Sequence, residues 1–497
     1  MSTKYDYDAV VIGGGAAGLT ASGIAANFGA KTMMVEAERL GGDCTWTGCV
    51  PSKTLLKAGK VAQQMRSAGK YGLIDSEPEI NFKKVIRHVH QVREDVYKDA
   101  DKPEIFEELG VEVVKGKASF IDPHTIDIRS GNDSAGPTIV SSRYFFICAG
   151  ASAFVPPIEG VEQVDYLTND SLFEIDRLPE KLLIVGTGPI GSEMAQAMRR
   201  LGSEVTVLDM SGRIMTKDDP ELAQMLHRVM EKEGIEYQLN ADIKSVEQTQ
   251  DNTVTVHYAR FGEHTTVTGD ALLMATGRKA NVEGLALENA DVEYTSRGID
   301  VDDRCRTNQK HIYACGDITG RYQFTHMSEH MAKVATSNAL LKIPMKMDTD
   351  HVPWVTYTDP ELGHLGATGK ELEEKGTTYE TYRFPYTKVD RAVTESESEG
   401  LIKIYAKKWS GKILGVDILG VNAGELISEY AVAMRNGISL RDIADTIHPY
   451  PSYGLGARRA ADQWYIKNQK EWIVKLIKFI FRYRGEVPDY SDPDRIV

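Results

Sequence analysis

Twice along its length, 173 positions apart, the chain repeats one short design: an apolar strand, a glycine-rich turn, a helix, a second strand and an acid. The first copy, YDAVVIGGGAAGLTASGIAANFGAKTMMVEAE, carries Gly13, Gly15 and Gly18 and reaches Glu36. The second, KLLIVGTGPIGSEMAQAMRRLGSEVTVLDM, carries Gly186, Gly188 and Gly191 and reaches Asp209. In both, the acid falls 23 residues after the first glycine. A glycine fingerprint alone is weak evidence, but strand, helix and acid in register make each copy a dinucleotide-binding βαβ unit. The first glycine permits the tight turn, the second lets backbone approach a pyrophosphate, and the third lets helix pack on strand. The free N–H groups of the helix then meet the anion, and the acid takes the ribose hydroxyls. Two such units commit most of the chain to an α/β fold of the Rossmann type.

At 497 residues the chain has room for about two to four domains. Its net charge of −14 opposes nonspecific binding to nucleic acid, so no nucleic-acid partner is expected. The opening MSTKYDYDAVVIGGG has neither the apolar core nor the small-residue cleavage site of a signal peptide. No uninterrupted run of about 20 apolar residues is available to span a bilayer. The expected address is cytoplasmic.

Of five cysteines, Cys44 and Cys49 stand together in GGDCTWTGCVPSKTLL. Zinc would require a second such pair, and Cys148, Cys305 and Cys315 are scattered, so no metal site is expected. A structural disulfide across so short a loop would constrain the unfolded chain little. Pro51 suits the first turn of a helix, which puts Cys49 at a helix N-terminus where a thiolate is favoured. The pattern points to redox chemistry. Cys148 and Cys315 read as small buried hydrophobes, and Cys305 has no expected partner.

These residues together resemble the FAD-dependent pyridine nucleotide-disulfide oxidoreductases, whose members include dihydrolipoamide dehydrogenase, glutathione reductase and mercuric reductase. The likeness runs over about residues 6–463. GGDCTWTGCVPSK is similar to the redox-active GGTCxNxGCxPSK, differing at Asp43, Thr45, Trp46 and Thr47. YFFICAGASAFVPPIEG and LLMATGRKAN resemble the segments leaving the FAD and NAD domains, IYACGDITG the second FAD segment, in which Asp317 would bind the ribityl chain, and PWVTYTDPELGHLG the start of the dimerisation domain. The resemblance implies two Rossmann-type domains, for FAD and NAD, plus an α+β C-terminal dimerisation domain. The implied boundaries are 1–155 for the first FAD part and 156–282 for NAD(P). They continue with 283–350 for the second FAD part and 351–463 for dimerisation; beyond the resemblance, 464–497 reads as a basic amphipathic tail that the family pattern does not require. FAD-binding positions would be Gly13, Gly15, Gly18, Glu36, Gly42, Lys53, Ala118, Gly150 and Asp317; pyridine-nucleotide positions would be Gly186, Gly188, Gly191, Asp209, Gly277 and Arg278. Asp209 would repel the 2′-phosphate of NADPH and favour NADH, with Arg213 as the nearby cation that leaves NADPH open.

The family mechanism carried onto this chain has NADH reduce the flavin, which reduces a Cys44–Cys49 disulfide. Cys49 would be the thiolate nearer the flavin, Cys44 the thiol that meets the acceptor, and Lys53 would pair with Glu193. Exchange through a mixed disulfide needs both sulfurs, one attacking and one leaving. Disulfide-reducing members add a His–Glu dyad from the partner subunit, in the pattern HxHPTxxE. Here IHPYPSYGLGARRAADQ puts Tyr450 at the His and Leu455 at the Glu; shifting the register to make His448 catalytic puts Tyr453 at the Glu. The dyad is therefore expected to be absent, leaving His448 without a carboxylate and proton transfer impaired. Mercuric reductases also carry Tyr here, but their C-terminal cysteine pair is missing, since the last cysteine is Cys315.

The tail WYIKNQKEWIVKLIKFIFRYRGEVPDYSDPDRIV reads as one helix ended by Gly485 and Pro488. Lys467, Lys470, Lys475, Lys478 and Arg482 would share one arc, with Trp472, Ile473, Leu476, Phe479, Ile480 and Tyr483 opposite. Packing on the enzyme's own dimer and peripheral contact with a membrane through residues 464–484 both fit. The expected protein is a homodimeric flavoenzyme passing electrons from NAD(P)H through FAD and Cys44–Cys49 to a small-molecule or small-protein acceptor: a disulfide, a thiol-bound metal or another electrophile. Alternatives are dihydrolipoamide dehydrogenase itself, a membrane-associated NADH:quinone-type reductase, and a redox sensor that binds both dinucleotides without turnover.

Overall fold

The computed structural model describes residues 5–130 and 137–487; Pro488 lies outside them. The chain forms two compact units, one of Met1–Gln63, Glu77–Met210 and Glu236–Met347, the other of Gln64–Ser76, Ser211–Ile235 and Asp348–Val497. In the first, a seven-stranded sheet has the order Val111–Lys115, Thr32–Glu36, Tyr7–Ile12, Thr138–Ile147, Thr125–Arg129 and Lys117–Asp122, with Ile312–Ala314 also paired to Thr138–Ile147. Its dinucleotide half is parallel, from Val111–Lys115 through to Ile312–Ala314. The two strands beyond it are antiparallel.

Parallel strands covered on both faces are expected to be apolar without alternation. AVVI in the first strand and YFFI in the central one meet that demand: Ala9, Val10, Val11, Phe145, Phe146 and Ile147 are all buried. Helix Ala16–Asn27, built from small residues, packs on helix Thr325–Thr336 beside this sheet. A four-stranded sheet carries the second glycine unit, in the order Ile235–Leu239, Glu204–Asp209, Lys181–Val185 and Ala271–Met274. Strands Ala151–Ala153 and Arg278–Ala280 pair antiparallel where the chain leaves and re-enters that part.

The other unit is built on a five-stranded antiparallel sheet, ordered Pro353–Thr356, Glu361–Gly366, Ile413–Gly420, Leu401–Ala406 and Glu380–Pro385. The alternation of GLIKIYAKKWSGKILGVDILG becomes two neighbouring antiparallel strands of it. Helix Pro220–Lys232 is tied to this sheet by charge: Lys403 meets Asp219 at 2.7 Å and the Tyr405 hydroxyl donates to the same carboxylate at 2.9 Å.

The C-terminal segment is not the single helix read from the sequence. Helix Gly454–Asn468 stops, Gln469 and Lys470 are extended, and a separate helix runs Glu471–Phe481. It ends before Gly485, at Arg482, which adopts a left-handed φ of 55°. The two extended residues break the common wheel, so Lys467 belongs to the earlier helix, where its ammonium donates to the Thr381 carbonyl.

Both glycine turns repeat one steric constraint. A Cβ on Gly18 would stand 1.8 Å from the Gly13 carbonyl oxygen, and one on Gly191 would stand 2.0 Å from that of Gly186. Gly191→Ala is accordingly expected to push helix Pro189–Leu201 off its strand, costing about 1–3 kcal/mol by overpacking. Gly23→Ala, whose Cβ meets nothing within 4 Å inside helix Ala16–Asn27, should be neutral or stabilising by up to about 1 kcal/mol. Chemical denaturation of the two variants checks both signs.

Candidate active site

The two glycine turns offer matching anion sites. Helices Ala16–Asn27 and Pro189–Leu201 begin at Gly15 and Gly188 with no side-chain cap and no acid in the first turn. A Cβ on Gly188 would meet nothing within 4 Å, and one on Gly15 would meet only the Gly42 Cα, at 3.8 Å. In each copy the terminal acid accepts from the residue just after the first glycine. The Gly14 N–H donates to Glu36 at 2.6 Å, and the Thr187 N–H and hydroxyl donate to Asp209 at 2.8 and 2.7 Å. Uncapped helix ends with open space beside an anchored carboxylate fit the pyrophosphate and ribose of a dinucleotide. Gly150 and Gly277 have φ of 67° and 126° with nothing beside them, whereas Ala118 is a core position on strand Lys117–Asp122.

Arg213 is engaged elsewhere. Its guanidinium donates to the carbonyls of Met215 at 2.7 Å and Thr216 at 2.6 Å, and more weakly to those of Ile214 and Asp218.

The redox loop is fastened on every side by the positions that differ from the common motif. Gly41 and Gly42 have φ of 98° and 54°, and a Cβ on Gly42 would stand 2.9 Å from the Gly15 Cα. Thr45 donates to Asp101 at 2.6 Å. The Trp46 indole N–H donates to the Leu40 carbonyl at 2.7 Å, the Arg39 guanidinium lies 3.3 Å from the Trp46 ring centroid, and Arg93 donates to the Trp46 carbonyl. Asp43 pairs with Arg278, which also donates to the Ala151 carbonyl at 2.5 Å. The Arg278 Nε is buried, makes no hydrogen bond and lies 3.4 Å from Asp317. Burial pushes the Asp317 carboxyl up to about 6, against the pull of Arg278. An orphaned buried donor beside a carboxyl raised by burial is a polar pocket suited to the hydroxyls of a ribityl chain.

Helix Cys49–Arg66 starts at Cys49 itself, and both thiols are free, with Cys49 exposed and Cys44 half-buried. The Cys49 Sγ lies 3.4 Å from the hydroxyl of Thr325, the first residue of helix Thr325–Thr336. One turn beyond Cys49, the Lys53 ammonium meets Glu193 at 2.9 Å, joining the redox helix to the helix of the second glycine unit. Glu193 is almost fully covered. The hydrogen bond from Cys44 is the largest influence lowering the Cys49 thiol, to about 6, with Thr325 and Lys53 acting in the same direction. Although the residue is exposed, partial desolvation of its sulfur and Glu193 oppose them. Cys44 is driven the other way, well above an ordinary thiol, by donating to Cys49 and by burial. The pair is thus polarised: thiolate at Cys49, thiol at Cys44.

The remaining cysteines are nearer one another than their sequence positions suggest. Strand Ile312–Ala314 lies parallel to Thr138–Ile147, the Cys315 N–H donates to the Ile147 carbonyl, and the Ala314 N–H donates to the Cys305 carbonyl. All three are buried, and Cys315 touches both Cys148 and Cys305, so Cys305 does have partners. Among the described residues, no group of three His, Cys, Asp or Glu side chains is arranged to hold a metal ion.

In the other unit, the segment around Tyr450 corrects the sequence reading. His448 has a carboxylate: its Nε2 lies 2.9 Å from Glu429, on helix Ala423–Arg435, and its Nδ1 lies 3.0 Å from the Thr446 carbonyl. The partner comes from upstream, 19 residues before the His, where a motif that looks downstream does not reach. Both ring nitrogens are occupied by acceptors. Tyr450 is 70% exposed, Leu455 is buried, and the Tyr453 hydroxyl donates to Glu395 at 2.7 Å.

Residues 7–332 match the Pyridine nucleotide-disulphide oxidoreductase family, and residues 352–460 its dimerisation domain. The chain belongs to this family. It is 33% identical over 461 residues to the mercuric reductase of Lysinibacillus sphaericus, covering 92% of this chain and 82% of that protein. It is 30% identical over 463 residues to the dihydrolipoyl dehydrogenase of Bacillus subtilis, covering 92% and 97%. Among solved structures, LpdA from Mycobacterium tuberculosis superposes with a TM-score of 0.84 at 26% identity, covering 92% of this chain and 99% of its own. The HOCl-induced flavoprotein disulfide reductase RclA from Escherichia coli, as its Cu(II) complex, gives 0.82 at 26% identity and the same coverage. Membership makes this an oxidoreductase with FAD, a pyridine nucleotide, a redox disulfide and a dimer-forming domain.

The polarised pair predicts a pH profile. A thiol lowered to about 6 is protonated below that value and mostly thiolate at pH 7. Alkylation of Cys49 in the reduced protein should therefore rise through pH 6 and level off by pH 7. Lys53→Met and Thr325→Val should each move the midpoint upward, since each removes a group that favours the thiolate. A midpoint near that of a free thiol, about 8.5, in the unmodified protein contradicts the assignment.

Proposed function

We propose that the protein is an NADH-dependent reductase whose Cys44–Cys49 pair delivers two electrons to a small acceptor by thiol exchange, without an imidazole proton shuttle. The single observation that carries this reading is the placing of Cys49 at the start of its helix, 3.4 Å from the Thr325 hydroxyl and one turn before the Lys53–Glu193 pair. FAD, when bound, supplies the two-electron link between pyridine nucleotide and disulfide. Gly15, Glu36 and Asp317 would hold it, and Gly188 and Asp209 would hold the nucleotide. Opening the Cys44–Cys49 bond with two electrons and one proton leaves Cys49 as thiolate and Cys44 as thiol. Lys53 stabilises that thiolate while Glu193 keeps the ammonium in place. Loss of the Cys44 proton then lets its sulfur attack the acceptor and displace one thiolate. Attack of Cys49 on Cys44 releases the second and restores the disulfide.

What supports the absence of a shuttle is the engagement of His448, whose two nitrogens face Glu429 and the Thr446 carbonyl. Tyr450 stands at the position where disulfide-reducing members carry His, and a phenol is a poor base at neutral pH. The acceptors favoured are those whose leaving groups need no proton: a disulfide of acidic thiols or a thiol-bound soft metal ion. Mercuric reductases are among the relatives. The nucleotide preference rests on Asp209, a carboxylate where a 2′-phosphate would lie, and on the engagement of Arg213 with its own loop carbonyls.

Stopped-flow and steady-state assays on the holoprotein test this. Reduction by NADH should be fast and outpace reduction by NADPH, while lipoamide turnover should be slower by about 10²–10⁴ than in a relative with a His–Glu dyad. Lipoamide turnover at the rate of such a relative, with an acid–base pH profile, would overturn the proposal.

A further inference from the structure

Helix Glu471–Phe481 contains no buried residue, although eight of its eleven side chains are apolar. Phe479 is 83% exposed, and Trp472, Ile480 and Phe481 are about as open as Tyr483 just beyond the helix. Val474 and Lys478, one turn apart, are its only partly covered residues. Trp472, Leu476 and Ile480 share a face turned away from those two, so the helix directs its apolar side to solvent. A helix that forms from an apolar face does so to bury that face, and the surrounding unit leaves it open.

The charge around it is equally particular. From Lys467 to Arg484 there are six cations, Lys467, Lys470, Lys475, Lys478, Arg482 and Arg484, against the single acid Glu471, in a chain whose net charge is −14. Glu471 is paired with Lys475 at 2.5 Å. Lys470, in the extended link, stacks 4.7 Å over the ring of Trp409, itself 66% exposed, which extends the aromatic surface beyond the helix.

We infer that this helix is an interfacial anchor that lies in the surface of an anionic phospholipid bilayer, with Trp472, Leu476, Phe479 and Ile480 among the acyl chains and the cations at the headgroups. Aromatic residues with Lys and Arg at their flanks are the composition of a membrane interface. Eleven residues at 1.5 Å each span about 16 Å, about half a bilayer's hydrocarbon core, so the helix lies on the surface and does not cross it. Self-docking of this helix on its own copy would bring Lys475, Lys478 and the flanking Lys470, Arg482 and Arg484 near the same cations of the copy, whereas anionic headgroups neutralise them. The inference is independent of the acceptor proposed above.

The test uses the full-length holoprotein with vesicles of phosphatidylcholine alone or mixed with phosphatidylglycerol, at low and high salt. Sedimentation with the mixed vesicles is expected, falling severalfold at high salt and in phosphatidylcholine alone. A Leu476→Asp/Ile480→Asp double variant, altered at exposed positions, should lose binding by tenfold or more while keeping NADH-driven dye reduction. Failure of the unaltered protein to bind the mixed vesicles, or binding equal in the double variant, overturns the inference. So does a double variant whose only change is a smaller mass by light scattering, which would make the face a contact between copies.

Discussion

The ion pair between Lys53 and Glu193, 2.9 Å long and nearly closed to water on the Glu side, is the contact on which the site depends. It ties the helix that begins at Cys49 to the helix that begins at Gly188. The redox sulfurs and the second dinucleotide turn are thereby fixed to one another. Removing either partner would strand a charge, Glu193 under cover or Lys53 beside a thiolate, and breaking a covered pair costs more than the pair itself contributes. The ammonium also acts at a distance on Cys49, while the carboxylate moderates it. One interaction thus contributes to both the geometry and, beside the larger effect of Cys44, the electrostatics of the site.

Around that contact the loop chemistry is an exercise in asymmetry. Two adjacent thiols in equivalent surroundings would share a proton evenly and neither would lead. Here Cys49 opens a helix and has Lys53 one turn away, whereas Cys44 lies half-buried and donates to Cys49; Thr325 touches both sulfurs. The loop must be rigid for this to persist. Thr45, Trp46 and Asp43 supply the rigidity through Asp101, Leu40, Arg39, Arg93 and Arg278. Departures from the common motif that look neutral in the sequence thus fasten the loop in this chain.

The glycine turns are legible in the amino-acid sequence because their spacing is dictated by sterics: a Cβ at Gly18 or Gly191 collides with a carbonyl in the same turn, so a side chain at either position pushes the helix off its strand. Lys53 and Glu193 can be placed only by family resemblance, since 140 residues separate them. What the sequence hides is contact set by tertiary packing. Glu429 reaches His448 from a preceding helix, and Cys305 joins Cys148 and Cys315 through strand pairing. Local pattern has no access to either. The break at Gln469–Lys470 escapes a reading by residue type because neither residue is a helix breaker; both take extended backbone while Lys470 stacks on Trp409.

The central claim is that electrons pass through the Cys44–Cys49 bond and do not bypass it. Thiol counting decides this. Holoprotein, first oxidised, is mixed anaerobically with one equivalent of NADH per chain, quenched with iodoacetamide and mapped by peptide mass. The account predicts two new alkylated thiols per chain, at Cys44 and Cys49, while Cys148, Cys305 and Cys315 stay as before. Consumption of the NADH with no new thiol at either Cys44 or Cys49 would contradict it.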